Sequence, residues 1–358
     1  MTTTVGHADV RAAARRIDGL VLRTPVLEIS PGLFLKLELL QHSGSFKVRG
    51  AFNRILSAGE LPSSGVIAAS GGNHGLAVAY AARELGVRAE IFVPEVTSPV
   101  KVAGLGALGA HITQTGAVYS DAAEAAAKRA AETGALMVHA YDQPEVVAGQ
   151  GTTGLELMEQ VEGVDTVLVA VGGGGFAAGI ALGTAAPAEP AGPAAPGGSA
   201  GPAEAAGPAA PAEPVVPGAV VVSGASVAPG TPGARAARPR IVAVEPEGIP
   251  TLHAALRAGL PVPVEVGGVA ADSLGATRLG ALAYEILSGP GVESVLVTDE
   301  AIVAARRTLW ARHRLATEPG GAAAYAALLS GAYTPGPGER VVVVVCGSNT
   351  DPATLTTA

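Results

Sequence analysis

The sequence contains little cysteine, few aromatic residues and no concentrated positive charge, and each shortage excludes a class of protein. The single cysteine, Cys346, cannot form an internal disulfide and rules out a cysteine-rich zinc module. The net charge is -8, and no basic cluster of the kind that binds nucleic acid is present. No stretch approaches the roughly 18 apolar residues of a membrane span, and residues 1–20 lack the apolar core of a secretion signal. We therefore expect a cytoplasmic protein without nucleic-acid or membrane partners.

The chain is instead rich in alanine, glycine and valine, and its 358 residues are enough for two domains. Short β-branched runs alternate with alanine-rich segments in which apolar residues have helical spacing. The predicted strands are Gly65–Ala69, Ala89–Val93, His111–Thr115, Leu136–His139, Thr166–Val171, Ile241–Val244 and Val341–Val345. The predicted helices are Gly75–Leu85, Pro99–Leu108, Tyr119–Thr133 and Gly149–Val161. This alternation predicts an α/β fold with parallel sheets covered on both faces and ligands at the carboxyl ends of strands.

One tract, residues 183–240, has a different composition from the rest of the chain. From about Gly183 to Pro239, proline, alanine and glycine recur without helical or strand periodicity. Such a tract buries too little side chain to offset the entropy lost on ordering. We expect a disordered insertion without a catalytic function.

Two polar turns early in the chain contain candidate functional residues. Lys47 follows a glycine-containing turn and begins a helix, where burial and nearby amides favour a neutral, nucleophilic amine. Taken alone, a lysine is more often a solvated surface residue. The turn Ser70–Gly75 (SGGNHG) follows a predicted strand, and its amides, with the side chains of Ser70 and Asn73, suit a carboxylate and a phenolic oxygen. The same pattern is also typical of an ordinary capped turn.

Two later turns follow predicted strands in the same way. Gly172–Gly175 allows successive backbone N–H groups to converge on a phosphate, although a tight packing turn is the alternative. The loop lacks the lysine of a nucleotide P-loop. Cys346 directly follows the strand Val341–Val345, which places a thiol at the mouth of a central strand or, alternatively, in the core.

Taken together and in this order, these motifs resemble the serine/threonine dehydratase family of fold-type II pyridoxal 5'-phosphate (PLP) enzymes, which also contains serine racemase. The resemblance extends from about Leu20 to Asp351, apart from the Pro/Ala/Gly-rich tract. It rests on Gly44–Ala51, Ser70–Gly75, Ala148–Thr152, Gly172–Gly175, Glu245-Pro246 and Glu318-Pro319. It implies a tryptophan synthase β-like fold of two three-layer α/β domains with mostly parallel sheets. Residues 51–142 would form the smaller domain, and residues 1–50 with 143–358 the larger, PLP-binding one.

The resemblance also implies a role for each motif residue. Lys47 would be the catalytic residue and carry PLP as a Schiff base, and Asn73 would bind the phenolic oxygen of the cofactor. The phosphate would be held by Gly172, Gly173, Gly174, Gly175 and Phe176. Cys346 would face the pyridine nitrogen, where a weak, neutral partner favours elimination over transamination. Ser70, Gly71 and His74 would receive the carboxylate of the substrate.

The reaction implied is the PLP-dependent dehydration of L-threonine and/or L-serine to 2-oxobutanoate or pyruvate plus ammonia. Serine racemase has a second serine, acting as a base, at the position of Gly71, so its absence favours dehydration over racemisation. Where racemase has an asparagine near the cofactor, this chain has Tyr141, which leaves the surroundings of the substrate side chain open.

The resemblance further implies a homodimer and a cation loop. Glu245, a backbone carbonyl at Ile249 and Thr251 would be the cation ligands. One carboxylate with a hydroxyl suits a monovalent ion such as K⁺ better than a divalent one. A surface-exposed Glu245 without an ion is the alternative.

Several other functions remain open from the sequence. Within the same fold these are a serine racemase, a 3-hydroxyaspartate or phenylserine dehydratase, and a threonine synthase-like enzyme. A nicotinamide-dependent oxidoreductase could use the glycine loop but offers no role for Lys47. A catalytically silent binding protein would tolerate the loss of Lys47.

Overall fold

The computed structural model describes residues 5–185 and 238–355 of the chain. The insertion predicted at residues 183–240 lies outside these ranges except at its ends, where a helix ends at Gly183 and a strand begins at Arg240. The prediction that this tract is disordered therefore stays a prediction.

Strands and helices alternate along the described residues. In chain order the strands are β1 Val26–Ser30, β2 Leu33–Lys36, β3 Val66–Ala69, β4 Ala89–Val93, β5 His111–Gln114, β6 Leu136–Met137, β7 Thr166–Ala170, β8 Arg240–Pro246, β9 Val292–Val297 and β10 Val341–Val344. The helices are α1 His7–Arg16, α2 Lys47–Ser57, α3 Asn73–Glu84, α4 Pro99–Ala107, α5 Tyr119–Thr133, α6 Pro144–Gln160, α7 Gly175–Gly183, α8 Thr251–Ala258, α9 Ala271–Leu274, α10 Ala281–Leu287, α11 Asp299–His313 and α12 Pro319–Ser330. Short 3-10 turns lie at Glu38–Leu40, His42–Gly44 and Pro352–Leu355.

The described strands form two sheets. The larger has the order β1-β2-β10-β7-β8-β9, in which β1 pairs antiparallel with β2 and the other neighbours are parallel. The smaller has the order β5-β4-β3-β6 and is parallel throughout. Every residue of β4, β7 and β10 is buried, as expected for strands covered by helices on both faces. The predicted α/β fold with mostly parallel sheets is confirmed.

The bounds of individual elements agree best where the sequence pattern is strongest. Strand β4 and helix α5 have the predicted bounds. Helix α6 begins five residues earlier than predicted, because Pro144 occupies its first turn and Gln143 is its N-cap. Strand β6 ends at Met137 rather than His139, and the chain bends at residues 140 and 141.

A buried ionic cluster connects strand β2 with helices α2 and α6. The guanidinium of Arg49 contacts the carboxylates of Glu38 at 2.7 Å and Glu156 at 2.6 Å. Lys36 contacts the same Glu156 at 2.6 Å. Arg49, Lys36 and Glu38 are all fully buried. Because removing one member would leave its partners as uncompensated buried charges, the cluster holds the first turn of α2 in place against α6.

Candidate active site

A cavity of about 550 Å³ lies at the carboxyl ends of strands β3, β7 and β10. Its volume is in the range of small-molecule sites. The predicted catalytic, cofactor and substrate residues that line it are Lys47, Ser70, Gly71, Asn73, His74, Gly172, Gly173, Gly174, Gly175, Phe176 and Cys346. Four turns separated widely in sequence therefore meet in one place, as the rule for parallel sheets predicts.

Lys47 is the first residue of helix α2, and its side chain enters the cavity. Its Nζ donates a hydrogen bond to the carbonyl of Ala140 at 2.7 Å. Burial lowers the pKa of this amine to about 8, although the nearby Cys346 and Glu318 act in the opposite direction. The neutral amine is thus far more accessible near pH 7 than it is for a solvated lysine of pKa about 10.4.

The glycine loop between β7 and α7 has no room for side chains. Gly174 has a φ of +84°, which favours glycine. A Cβ on Gly173 would lie 2.3 Å from Cγ of Tyr141, and one on Gly172 would lie 2.7 Å from the Leu274 carbonyl oxygen. The first amides of a helix have no acceptor within it, so the N–H groups of Gly175 and Phe176 are suited to an anion. These amides could hold a phosphate, while the glycines themselves allow the loop to pack closely against Tyr141 and Leu274.

The turn between β3 and α3 presents backbone amides at the start of a helix. Gly72 is the N-cap of α3, and its N–H donates to Oγ of Ser70 at 3.2 Å. The His74 imidazole contacts the Val138 carbonyl through Nε2 at 2.8 Å, and burial lowers its pKa to about 3. A neutral ring engaged with Val138 cannot pair with a carboxylate as a cation. A substrate contact at His74 would therefore come from its main-chain N–H.

Cys346 lies at the end of strand β10, as a free and buried thiol. Its Sγ donates to the carbonyl of Gly320 at 3.5 Å. Burial raises the pKa of the thiol well above its usual range, so that the sulfur stays protonated and uncharged. A neutral group at this position agrees with the role predicted from the resemblance.

Two residues without a predicted role, Glu318 and Asn349, fix the side chain of Asn73. Nδ2 of Asn73 donates to Oε1 of Glu318 at 2.5 Å, and Nδ2 of Asn349 donates to Oδ1 of Asn73 at 2.6 Å. Burial raises the pKa of Glu318 to about 7. Gly347 makes room for this carboxylate, since a Cβ there would lie 2.0 Å from Oε1. The pair Glu318-Pro319 was visible in the sequence, but nothing local connected it with Asn73.

The predicted cation ligands lie together where strand β8 leads into helix α8. The Glu245 carboxylate is fully buried, which makes the surface-exposed alternative wrong. It accepts hydrogen bonds from Oγ of Thr251 at 3.0 Å and from the amides of Leu252 and His253 at 2.7 and 2.8 Å. Thr251 Oγ also lies 2.5 Å from the carbonyl oxygen of Gly172. The carbonyl of Ile249 accepts from the Thr251 amide at 3.1 Å.

One hydroxyl hydrogen is therefore shared between two acceptors, the oxygens of Glu245 and Gly172. A proton on Glu245, whose pKa burial raises to about 7, would relieve this shortage, and so would a cation. Across residues 5–185 and 238–355, no cluster of three or more His, Cys, Asp or Glu side chains is arranged to hold a metal. The same residues contain no helix long and apolar enough to cross a membrane.

Comparison with known proteins gives matches over nearly the whole chain. The model of the pyridoxal-phosphate dependent enzyme family matches residues 17–209 and 216–347. L-threonine ammonia-lyase of Thermotoga maritima is 32% identical over 353 residues, which cover 96% of this chain and 75% of that protein. Phenylserine dehydratase of Ralstonia pickettii is 32% identical over 365 residues, covering 99% and 96%. Among solved structures, maize serine racemase has a TM-score of 0.79 and 28% identity, covering 98% of this chain and 96% of that one.

Proposed function

Because this chain belongs to the family of pyridoxal-phosphate dependent enzymes, we propose that it is an ammonia-lyase that converts L-threonine and/or L-serine to 2-oxobutanoate or pyruvate plus ammonia. The observation that carries the proposal is the Lys47 amine, whose pKa is lowered to about 8 and which shares a cavity with the glycine loop. A reactive amine beside a possible phosphate site fits PLP, which forms a Schiff base with a lysine. A nicotinamide cofactor would have no use for this amine.

The residues proposed to hold the cofactor are Lys47, Asn73, Gly172, Gly173, Gly174, Gly175, Phe176 and Cys346. When bound, PLP supplies an electron sink for the charge left on the substrate Cα as its proton departs. The first amides of α7, which have no acceptor within the helix, and the orientated Asn73 amide both support this assignment.

The protein's own groups account for the remaining steps. The amides of the turn that includes Ser70, Gly71 and His74 would bind the substrate carboxylate at the start of α3. The neutral Lys47 amine would take the Cα proton and, as an ammonium group, could return a proton to the β-hydroxyl, which would then leave as water. Hydrolysis of the released aminoacrylate would give the keto acid and ammonia. Cys346, an uncharged thiol, would be the partner of the ring nitrogen, and a neutral partner would not hold a proton there as a carboxylate does.

Serine racemase is the second candidate, favoured by the similarity to the maize enzyme. Against it stands Gly71, which provides no hydroxyl as a second acid or base. Incubation with L-serine and with L-threonine, followed by assays of keto acid, ammonia and D-amino acid, separates the two. D-serine accumulating without pyruvate would exclude the ammonia-lyase.

The cofactor assignment predicts an absorbance band of a lysine Schiff base at about 410–420 nm in the PLP-loaded protein. Lys47→Ala should abolish the band. Lys101→Ala, which removes another lysine that lines the cavity, should retain it and is the matched control. A band that survives in Lys47→Ala would contradict the assignment.

We also propose the other features that the resemblance implies. The smaller domain, residues 51–142, is supported by the position of the whole smaller sheet within those bounds. We propose a homodimer, which light scattering can test.

We propose that K⁺ is bound by Glu245, Ile249 and Thr251. The hydroxyl hydrogen shared between Glu245 and Gly172 supports this site, which predicts higher activity in K⁺ than in Na⁺ or Li⁺. A free, buried cysteine suits a reducing cytoplasm.

A further inference from the structure

The turn that follows strand β6, residues 139–143, is closed by the side chain of its first residue. Nδ1 of His139 accepts the backbone amide hydrogens of Tyr141 at 3.2 Å and Asp142 at 3.0 Å. The His139 amide in turn donates to Oε1 of Gln143 at 2.9 Å. The imidazole therefore sets the direction of the backbone between its own residue and Asp142.

The carbonyl held inside this turn belongs to Ala140 and points at Lys47. It accepts the Nζ hydrogen bond at 2.7 Å. Because Nδ1 uses its lone pair on two amides, the ring must be neutral, with its hydrogen on Nε2. Burial keeps the pKa of His139 below its usual value, although the charge of Asp142 acts in the opposite direction and that of Lys47 adds to the lowering. This agrees with a neutral ring.

The hydrogen bond to Ala140 determines where the lone pair of a neutral Lys47 lies. A neutral primary amine has two hydrogens and one lone pair. Donation of one hydrogen to Ala140 restricts rotation about the Cε–Nζ bond and leaves the lone pair available to the cavity. When the substrate Cα–H bond breaks, its electrons stay on carbon and Nζ gains the proton. The bond to Ala140 then becomes charge-assisted and stronger.

The same turn is attached to helix α10 and to the glycine loop by contacts that do not involve the imidazole. The Asp142 carboxylate caps helix α10, accepting from the amides of Ala281 at 3.0 Å and Leu282 at 3.1 Å. The Tyr141 ring packs against Gly173. Loss of the imidazole acceptor should therefore release the Ala140 carbonyl without detaching the turn.

We propose that His139 is a positioning residue for Lys47, acting through the Ala140 carbonyl during transfer of the Cα proton. This inference rests on the proposed ammonia-lyase function. Nothing in the local sequence indicates it, because the contact joins residues 93 positions apart.

Two substitutions of similar polarity test the proposal. In His139→Asn, the amide oxygen can take the place of Nδ1, whereas in His139→Gln it lies nearer to Nε2. With L-threonine or L-serine, we expect His139→Gln to lower kcat by about 10- to 100-fold, since misplacement of a reacting group by about 1 Å has effects of this size. KM, the affinity for PLP and the absorbance of the Schiff-base band should stay within about twofold of the wild-type values. His139→Asn should keep most of the activity, and His111→Leu, at an exposed histidine of β5, is the control.

Two readouts separate positioning from general damage. The primary isotope effect with Cα-deuterated substrate should increase in His139→Gln, because proton transfer becomes slower. The acid limb of the kcat profile should move to lower pH, since loss of an acceptor destabilises the ammonium form of Lys47. In PLP-free protein, the rate of Schiff-base formation with added PLP should show the same shift.

The proposal is overturned if Asn and Gln variants are equally impaired, or if kcat falls while the isotope effect and the pH profile stay unchanged. Failure of the proposed function looks different. The wild type would then bind PLP through Lys47 but release no keto acid. The pH dependence of Schiff-base formation in the wild type, His139→Asn and His139→Gln would still decide the role of His139.

Discussion

Gly71 has little room for a side chain, because Thr97 and Val93 lie close to it. A Cβ at this position would lie 3.0 Å from Cγ2 of Thr97 and 3.6 Å from Cγ1 of Val93. The methyl group of Thr97 thus occupies part of the space that a serine would need. The preference for elimination over racemisation depends in our proposal on this small region of the cavity.

Replacement of both residues should introduce racemisation. In Gly71→Ser with Thr97→Ser, a hydroxyl is added where the resemblance places the second base, and the crowding methyl is removed. We expect D-serine to form from L-serine while pyruvate formation continues, as measured by chiral chromatography beside a keto-acid assay. Gly71→Ser alone should form less D-serine, because Thr97 must first move, and Thr97→Ser alone is the control. Absence of D-serine from the double variant would show that Gly71 does not decide between the reactions.

The functional residues that could be predicted from the sequence are those that lie in a short, recognisable motif. The turn at Ser70 and the glycine loop each follow a predicted strand, and Lys47 begins a helix after a glycine-containing turn, so their meeting in one cavity could be predicted. Glu318 and His139 could not be predicted in the same way. Glu318 meets Asn73 across 245 positions, and His139 acts through a backbone carbonyl, which has no sequence signature.

At the scale of elements, helices α6 and α7 approach so closely that glycine is needed between them. A Cβ on Gly179 would lie 2.6 Å from the Val147 carbonyl oxygen and 2.7 Å from the amide nitrogen of Gly151. These are backbone atoms of α6, which cannot turn aside as a side chain can. Since α7 begins at the glycine loop, this contact also sets the position of the phosphate cradle.

Gly179→Ala should therefore destabilise the protein by about 3 kcal/mol and weaken PLP binding, because α7 must move away from α6. The midpoint of urea unfolding and a PLP titration measure the two effects. The matched control is Gly104→Ala in helix α4, where the nearest atom to a Cβ is Cδ2 of Leu76 at 3.7 Å. There alanine should be neutral or stabilise by up to about 1 kcal/mol through its helix propensity. Equal stability of the two variants would contradict the tight packing of α6 on α7.

Elements were predictable from the sequence where burial is uniform or helical spacing is regular. Strand β4 is buried along its whole length and helix α5 has a regular apolar face, and both were found at the predicted bounds. Strand β9 was missed, because it lies at the edge of its sheet, where only two of its six residues are buried. Its sequence, VESVLV, combines charged and apolar residues, so it shows neither a continuous apolar run nor a regular helical spacing.

For the whole molecule, alternation of strands and helices was enough to predict an α/β fold with parallel sheets. The order of strands was not predictable, because β10 pairs with β2 and β7 across most of the chain. Long-range pairing of this kind depends on burial in three dimensions and leaves no local pattern. The location of the site at the strand ends followed from the fold class, whereas its electrostatics depend on burial and on contacts between distant parts of the chain.

The stability of the whole fold should depend on pH through buried carboxyl groups near the site. Burial raises the pKa of Glu318 to about 7, above its ordinary value near 4.5. A carboxyl whose pKa is raised in the folded protein binds more protons there than in the unfolded chain. Its contribution to stability is therefore complete below about pH 4.5 and is lost as the pH rises through about 7.

Glu318→Gln should remove this dependence while keeping an oxygen for the Asn73 amide. We compare the free energies of unfolding of PLP-free Glu318→Gln and PLP-free wild type. As the pH rises from 5 to 8, the difference should change in favour of the variant by an amount approaching about 3 kcal/mol. Urea unfolding at both pH values measures the difference between the two proteins, in which the titrations of His74, Glu245 and Lys47 largely cancel. Glu339→Gln is the control at a carboxyl whose pKa is lowered, and it should not gain stability as the pH rises. A pH-independent difference between Glu318→Gln and the wild type would mean that Glu318 is ionised throughout, and that the Asn73 amide is held by a fixed charge.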